Sequence, residues 1–237
     1  MDDTLANFRR VAVLLLGGSG RRFGGGIPKQ FALVDGRLLF FYPLKELTAS
    51  PEVEGVLLVA PRDYLDFVRK SVQERGLGKI IAVIEGGESR QDSSRRASEY
   101  LSQKKLPPTA LVLIHDADRP NLNEEVIKDN YEFAIKDGAA VTAVVSTDSV
   151  ALSKDGARIA SYLDRNEVYR LQTPQTFVFS LLLDAHEKAY AGARRYTDEG
   201  SMVLSETAIA PLIVKGSPYN MKITTRGDLA ALGGEKP

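Results

Sequence analysis

Six short apolar runs recur along the chain, and none of them alternates polar with apolar residues. They lie at residues 11–16, 56–60, 80–84, 110–114, 139–145 and 209–214. Strands of this composition are typically buried on both faces, as in a parallel sheet covered by helices. Segments with helical periodicity lie between them, at 62–76 and 123–138. The alternation predicts an α/β, Rossmann-like fold with a mainly parallel layered sheet and helices on both faces.

Length and composition limit the functions open to this chain. Its 237 residues favour a single domain spanning 1–237, and 31 basic against 31 acidic residues argue against a broadly basic nucleic-acid binder. The absence of cysteine excludes disulfides, Cys-ligated zinc and thiol nucleophiles, and two histidines cannot supply a His-rich metal site. We see no secretory signal and no apolar run near the roughly 20 residues that span a bilayer. We therefore expect a cytoplasmic protein with neither a membrane nor a nucleic-acid partner.

The regular alternation breaks at residues 147–170, where polar and apolar residues alternate around Asp155-Gly156. An Asp-Gly pair between two such runs predicts a hairpin. An isolated hairpin is marginally stable in water, so we expect 147–170 to be an extended β-arm that packs against a second copy of the chain. The alternative is a hairpin folded back on its own domain.

A glycine-rich loop follows the first apolar run directly. Residues 17–30 contain six glycines and three cations, among them Arg22 and Lys29. Glycines let backbone N–H groups approach an anion closely, which favours a phosphate-binding loop over a mobile connection. A dinucleotide fingerprint would need glycine where Phe23 stands, and no Walker motif occurs. An NAD(P)-dependent oxidoreductase therefore ranks last among the functions considered.

Several short motifs occur in a fixed order, beginning within this loop. They are Gly18-Ser19-Gly20-Arg21-Arg22, Pro28-Lys29-Gln30, Gly86-Gly87-Glu88-Ser89-Arg90-Gln91-Asp92-Ser93, His115-Asp116-Ala117-Asp118-Arg119-Pro120, Asp164-Arg165-Asn166, Thr173-Pro174-Gln175-Thr176-Phe177, Thr197-Asp198-Glu199 and Asn220-Met221-Lys222-Ile223-Thr224. Together they resemble the IspD-type cytidylyltransferases, the 2-C-methyl-D-erythritol 4-phosphate cytidylyltransferases of non-mevalonate isoprenoid biosynthesis. The resemblance covers residues 11–229, nearly the whole chain.

The resemblance implies a Mg²⁺-dependent transfer of a cytidylyl group from CTP to a polyol phosphate, and a homodimer formed through the 147–170 arm. It also implies a role for each motif residue. The catalytic cations are Arg22, Lys29 and Lys222, and the metal ligand is Asp116. The nucleotide-binding residues are Gly17, Gly18, Ser19, Gly20, Gly87 and Ser93, and the substrate-binding residues are Ser149, Arg165 and Thr173.

Several of these residues have simpler interpretations. Asp116 follows a buried run, so it lies at the carboxyl end of a strand, where open α/β sheets bind ligands; it could instead cap a helix or form hydrogen bonds within a loop. Ser93 could be a helix N-cap. Lys222 could be an exposed lysine on a short edge strand at 220–224. For His115, with no second histidine nearby, we expect a packed and hydrogen-bonded imidazole.

The match departs from the family pattern at two places that bear on the acceptor. Asp118 is an additional carboxylate, either a second metal ligand or a partner for Arg119. Ser149 matches the arm threonine of the family only as a hydroxyl. Two alternatives to a methylerythritol phosphate acceptor therefore stay open: a ribitol 5-phosphate cytidylyltransferase and a non-catalytic nucleotide-binding dimer.

Overall fold

The computed structural model describes residues 4–17 and 27–232. Its strands are β1 (Arg10–Leu15), β2 (Leu33–Val34), β3 (Arg37–Leu38), β4 (Gly55–Ala60), β5 (Ile80–Glu85), β6 (Leu111–Asp116), β7 (Ala139–Val145), β8 (Val150–Leu152), β9 (Ser161–Leu163), β10 (Tyr169–Val178) and β11 (Leu212–Lys215). Its α-helices are α1 (Phe41–Ala49), α2 (Leu65–Glu74), α3 (Arg90–Gln103), α4 (Glu124–Asp137), α5 (Phe179–Ala191), α6 (Glu199–Thr207) and α7 (Arg226–Ala231). Short 3-10 helices lie at Lys29–Phe31, Arg62–Tyr64 and Arg165–Glu167.

The central sheet has seven strands in the order β11-β7-β10-β6-β1-β4-β5. Within it β10 runs antiparallel to both β6 and β7, and the other neighbouring pairs are parallel. The prediction of a mainly parallel sheet is confirmed. Because the parallel strands share one direction, the loops after β1, β5 and β6 leave the sheet at the same edge.

Helices cover both faces of this sheet, as the apolar runs predict. Along β1, Ala12 and Leu14 pack with α1, α2 and α4, whereas Val11, Val13 and Leu15 face α3, α5 and α6. Strands buried on both faces need no polar alternation, which explains the continuous apolar runs. Among the described residues, no helix combines the length and the apolar character needed to cross a bilayer.

Two proline positions account for the main differences between predicted and observed strands. β11 begins at Leu212 rather than at residue 209, directly after Pro211. β10 was not predicted over its full length because Pro174 interrupts its pattern, and the pairing with β7 shifts register between Leu171 and Gln175. Proline lacks the N–H that a ladder needs, so it stands at strand starts and irregularities.

The predicted hairpin is present in the 147–170 arm. β8 and β9 form a separate antiparallel pair. At their turn the Asp155 carboxylate accepts hydrogen bonds from the N–H groups of Ala157 and Arg158, both 2.9 Å long, and Gly156 has φ +72°. The arm leaves the sheet after β7 and returns as β10, so it projects from the edge at which β6 ends.

Candidate active site

Two lysines from distant parts of the chain meet at the carboxyl edge of the sheet. Lys29 opens the 3-10 helix Lys29–Phe31, and its Nζ lies 2.6 Å from Asp118 Oδ2. The Nζ of Lys222 lies 2.8 Å from Asp116 Oδ2 and 3.8 Å from Asp118 Oδ1. Two of the three side chains predicted to be catalytic therefore converge on one carboxylate, that of Asp118.

The segment at 220–224 is not the strand that the sequence predicts. Its backbone groups form hydrogen bonds with residues of the site and not with a neighbouring strand. The Ile223 carbonyl accepts from Lys29 Nζ at 2.6 Å, and the Asn220 carbonyl accepts from Arg119 Nη1 at 2.8 Å. The Ile223 N–H donates to the Asp118 carbonyl at 2.8 Å. This segment holds Lys222 beside the loop that follows β6, so an exposed edge lysine is also a wrong interpretation.

Asp116 is the last residue of β6 and forms ion pairs with two cations, Arg90 and Lys222. Arg90 Nε lies 2.9 Å from Asp116 Oδ1, and Arg90 Nη1 lies 2.6 Å from the buried carboxylate of Glu199. Burial would raise the pKa of Asp116, but the charges of Arg90 and Lys222 outweigh burial and hold that pKa well below its usual range. Asp116 is therefore ionised at neutral pH, and it does not cap a helix.

Asp118 forms its shortest ion pair with Lys29. The interpretation of Asp118 as a partner for Arg119 is therefore wrong. The guanidinium of Arg119 donates instead to the carbonyls of Asn220 and Leu171. Burial, followed by repulsion from Asp116, raises the pKa of Asp118.

Thr173 joins β10 to the loop after β6 through a relay of hydrogen bonds. Its Oγ1 accepts from the Asp116 N–H at 3.1 Å and lies 3.1 Å from His115 Nδ1. His115 Nε2 lies 3.0 Å from the Arg119 carbonyl, which can only accept. The proton of the ring is therefore on Nε2, and the Thr173 hydroxyl donates to Nδ1. The packed imidazole predicted for His115 is confirmed.

Gly87, in the loop after β5, and Ser93, in the first turn of α3, lie together. The Ser93 hydroxyl accepts from the Gly87 N–H at 3.1 Å and donates to the Ser89 carbonyl at 2.9 Å. The N-cap of α3 is Ser89, so the interpretation of Ser93 as an N-cap is wrong. A Cβ on Gly87 would collide with Asp92, and a Cβ on Gly17 would stand 3.6 Å from Ser93 Oγ. The end of β1 thus approaches the start of α3.

A cavity of about 260 Å³ adjoins Lys222 on the β10 side of the site. Five of its ten lining residues are charged, four are polar and uncharged, and one is a leucine. The lining consists of Arg90, Asp116, Arg119, Leu171, Gln172, Thr173, Gln175, Thr197, Asp198 and Lys222. Sequence reasoning gave no role to Arg119 or Asp198, although both lie in the motifs quoted above.

Some of the predicted residues are not part of this cluster. Ser149 and Arg165 are exposed on the arm, where Arg165 Nη1 donates to the Thr147 carbonyl at 3.4 Å. The catalytic prediction for Arg22 and the nucleotide-binding predictions for Gly18, Ser19 and Gly20 fall outside the described residues.

The described residues of the site offer a divalent cation the carboxylate of Asp116 but no complete set of protein ligands. Within residues 4–17 and 27–232, no three His, Asp or Glu side chains are grouped to hold a metal ion. Mg²⁺ commonly needs one or two carboxylates and takes its remaining ligands from substrate phosphates and water. The ionised Asp116 carboxylate at the strand end meets that requirement.

A parallel α/β sheet whose carboxyl edge gathers lysines, arginines and a carboxylate has the architecture of a nucleotide-binding transferase. The family model described as 2-C-methyl-D-erythritol 4-phosphate cytidylyltransferase matches residues 11–233. The chain belongs to this family. It is therefore a cytidylyltransferase of isoprenoid biosynthesis, and this function is favoured over the ribitol phosphate and non-catalytic alternatives.

Individual relatives agree with this assignment. A 2-C-methyl-D-erythritol 4-phosphate cytidylyltransferase from Thermotoga neapolitana is 36% identical over 219 residues, which cover 92% of this chain and 93% of the relative. The relative of the same name from Syntrophus aciditrophicus is 34% identical over 220 residues, with 92% of each chain covered. The crystal structure of a 4-diphosphocytidyl-2C-methyl-D-erythritol synthase from Anaerococcus prevotii superposes with a TM-score of 0.81 at 26% identity, covering 97% of this chain and 96% of that one.

Proposed function

We propose that Lys29, Lys222 and Arg22 are the catalytic cations with which this enzyme transfers the cytidylyl group of CTP to 2-C-methyl-D-erythritol 4-phosphate. The products are CDP-methylerythritol and pyrophosphate. The observation that supports the proposal most directly is the meeting of the Lys29 and Lys222 ammonium groups on Asp118, at 2.6 and 3.8 Å.

The chemistry requires cations more than it requires a nucleophile from the protein. The acceptor phosphate must approach the α-phosphate of CTP in line while pyrophosphate leaves, and both reactants are polyanions. Fixed positive groups reduce their repulsion and stabilise the charge that develops on the equatorial oxygens. Lys29 and Lys222 are held by hydrogen bonds and ion pairs, so little reorganisation is needed at the moment of reaction.

For the nucleotide, we propose that Gly17, Gly18, Ser19 and Gly20 contribute backbone groups to the triphosphate. Gly87 and Ser93 bind the cytosine. Support comes from the approach of Gly17 to Ser93 and from the position of Gly87, where a side chain would collide with Asp92. Such a pocket selects a pyrimidine by hydrogen bonds to its edge and by size.

For the acceptor, we propose the 260 Å³ cavity, where Arg119, Lys222 and Thr173 form a polar wall. Arg165 and Ser149 would complete the site from the arm of a second copy. The arm supports this proposal because it exposes apolar side chains, with Ile159 57% and Tyr162 74% accessible. Partner contact would remove that apolar surface from water.

We propose Mg²⁺ as the metal, with Asp116 as its protein ligand. When bound, the ion would neutralise part of the charge of the substrate phosphates. We also propose that residues 1–237 form one nucleotidyltransferase domain. This domain carries the 147–170 arm and acts in the cytoplasm.

The experiment is a pyrophosphate-release assay with CTP, Mg²⁺ and either methylerythritol 4-phosphate or ribitol 5-phosphate. We expect turnover with CTP and the methylerythritol substrate, and slower turnover with ATP, GTP or UTP. Lys29→Ala should lower kcat roughly 10²–10³-fold, because an interaction that strengthens in the transition state is lost. Lys70→Ala, a substitution on the exposed face of α2, is the matched control. Faster turnover with ribitol 5-phosphate would overturn the acceptor assignment.

A further inference from the structure

Asp118 has an unusual position for a carboxylate, because it lies directly between two cations that the proposed reaction needs. Its Oδ2 is 2.6 Å from Lys29 Nζ and its Oδ1 is 3.8 Å from Lys222 Nζ. The residue is only 6% exposed, and Oδ1 has no hydrogen-bond partner among the described residues. The 220–224 segment also anchors the backbone of Asp118, since the Ile223 N–H donates to the Asp118 carbonyl.

The contacts of Lys29 show what this carboxylate does in the free protein. Lys29 is buried, and its ammonium group donates to Asp118 Oδ2 and to the Ile223 carbonyl, each at 2.6 Å. An ammonium group has three N–H donors, so these two bonds fix its direction and leave one donor for a ligand. Lys222 is less constrained: its side chain is 35% exposed, and its closest anion is Asp116.

A negative charge at this position has two opposing effects. It attracts both ammonium groups and so offsets the electrostatic repulsion between them. It also repels the phosphates of an incoming nucleotide. A structural residue that only supported the loop would not produce these opposite effects.

We propose that Asp118 is a positioning residue that fixes Lys29 and Lys222 for cytidylyl transfer at the expense of nucleotide affinity. The inference rests on the proposed roles of those two lysines. Asp118 raises turnover by aiming the ammonium groups, and it weakens CTP binding because its charge stays in the site. It acts through the lysines and not through a metal ion.

The test uses Asp118→Asn, which preserves the shape of the side chain and removes its charge. Binding of CTP is measured by calorimetry, once in EDTA and once in MgCl₂, and kcat is measured with methylerythritol 4-phosphate. We expect CTP to bind about threefold to tenfold more tightly in both buffers. We expect kcat to fall about tenfold to a hundredfold, because small misplacements of catalytic groups are costly.

The outcomes separate the proposal from its competitors. An unchanged kcat, or weaker CTP binding in EDTA, would overturn it. Weaker binding only in MgCl₂ would show that Asp118 is a metal ligand instead, and would also overturn it. If the wild-type enzyme bound CTP but released no pyrophosphate, the proposed function would fail, while the binding data would still test the charge of Asp118.

A matched control and a second variant keep the test decisive. Asp137→Asn removes the same charge from the exposed end of α4, at the opposite edge of the sheet, and should leave both measurements unchanged. If Asp118→Asn does not fold, Asp118→Ala is judged by the same two measurements. If neither folds, ¹⁵N NMR of the wild-type protein decides: the Lys29 ammonium protons should exchange slowly with solvent, and fast exchange would contradict the fixed ion pair.

Discussion

A single hydroxyl group, that of Thr173, links two motifs of the site. It accepts from the Asp116 N–H and donates to His115, while His115 donates to the Arg119 carbonyl. Because this hydroxyl is buried and fully engaged within the protein, Thr173 positions the Asp116 loop in addition to lining the cavity.

Replacement of Thr173 by valine should therefore destabilise the protein. The change leaves the buried Asp116 N–H and the His115 Nδ1 without partners. A buried polar group left without a partner typically costs about 1–3 kcal/mol. We expect the free energy of unfolding, measured by urea denaturation, to fall by about that amount, and Thr173→Ser to restore most of it.

Thr176 provides a matched control on the same strand. It is fully buried, and its Oγ1 has no hydrogen-bond partner among the described residues. Thr176→Val should therefore be neutral or slightly stabilising, since it removes an unsatisfied hydroxyl. Equal losses of stability for the two valine variants would show that the relay contributes nothing.

The sequence allowed some of these contacts to be predicted. The family resemblance assigned Lys29, Asp116 and Lys222 to one site; in the structure Lys222 lies beside Asp116 and Asp118, and Lys29 lies beside Asp118. The pairing of Asp118 with Lys29 was not predicted, because side chains 89 positions apart in sequence meet only through the fold. Hydrogen bonds to backbone carbonyls, such as that of Lys29 to Ile223, leave no pattern in the residue types.

At the scale of whole elements, buried strands were the easiest to predict. The runs that became β1, β4, β5, β6 and β7 are apolar on both faces, and helices cover both of those faces. β10 was harder to predict because Pro174 and polar residues interrupt it. Those polar residues point toward the cavity and the relay, so the site itself obscured the strand pattern.

The arm gives the prediction that belongs to this scale. Arg165 is exposed, and its Nη1 donates to the Thr147 carbonyl of its own chain at 3.4 Å. If it binds the acceptor phosphate of the partner subunit, Arg165→Ala should raise the KM for methylerythritol 4-phosphate roughly tenfold to a hundredfold, with little change for CTP.

Arg158→Ala, on the exposed turn of the same hairpin, controls for the loss of a positive charge from the arm. Heterodimers provide a second readout: a Lys29→Ala chain paired with an Arg165→Ala chain should regain part of the activity, since one composite site would be intact. An effect on CTP alone, or no recovery in verified heterodimers, would argue against a site shared between chains.

For the whole molecule, the two histidines indicate how stability depends on pH. His115 lies in β6, and His186 lies in α5 with its Nε2 3.1 Å from Ser94 Oγ. Burial lowers the pKa of His115 to about 4. Burial, with a smaller effect of the Arg95 and Arg90 charges, lowers the pKa of His186 to about 3. Both rings are therefore neutral in the folded protein at neutral pH.

These shifts determine the sign of the effect. In the unfolded chain histidine titrates near pH 6.5, so between that pH and about 4 the unfolded state binds more protons than the folded state. Stability must therefore fall as the pH falls through this window.

Between pH 6.5 and 5.5 each histidine should remove about 1 kcal/mol from the free energy of unfolding. Urea denaturation at the two pH values measures the combined loss, and His186→Gln, whose amide can keep the contact with Ser94, should reduce it by about half. Equal pH dependence of the wild type and the variant would show that His186 is already protonated, or is solvated, in the folded protein.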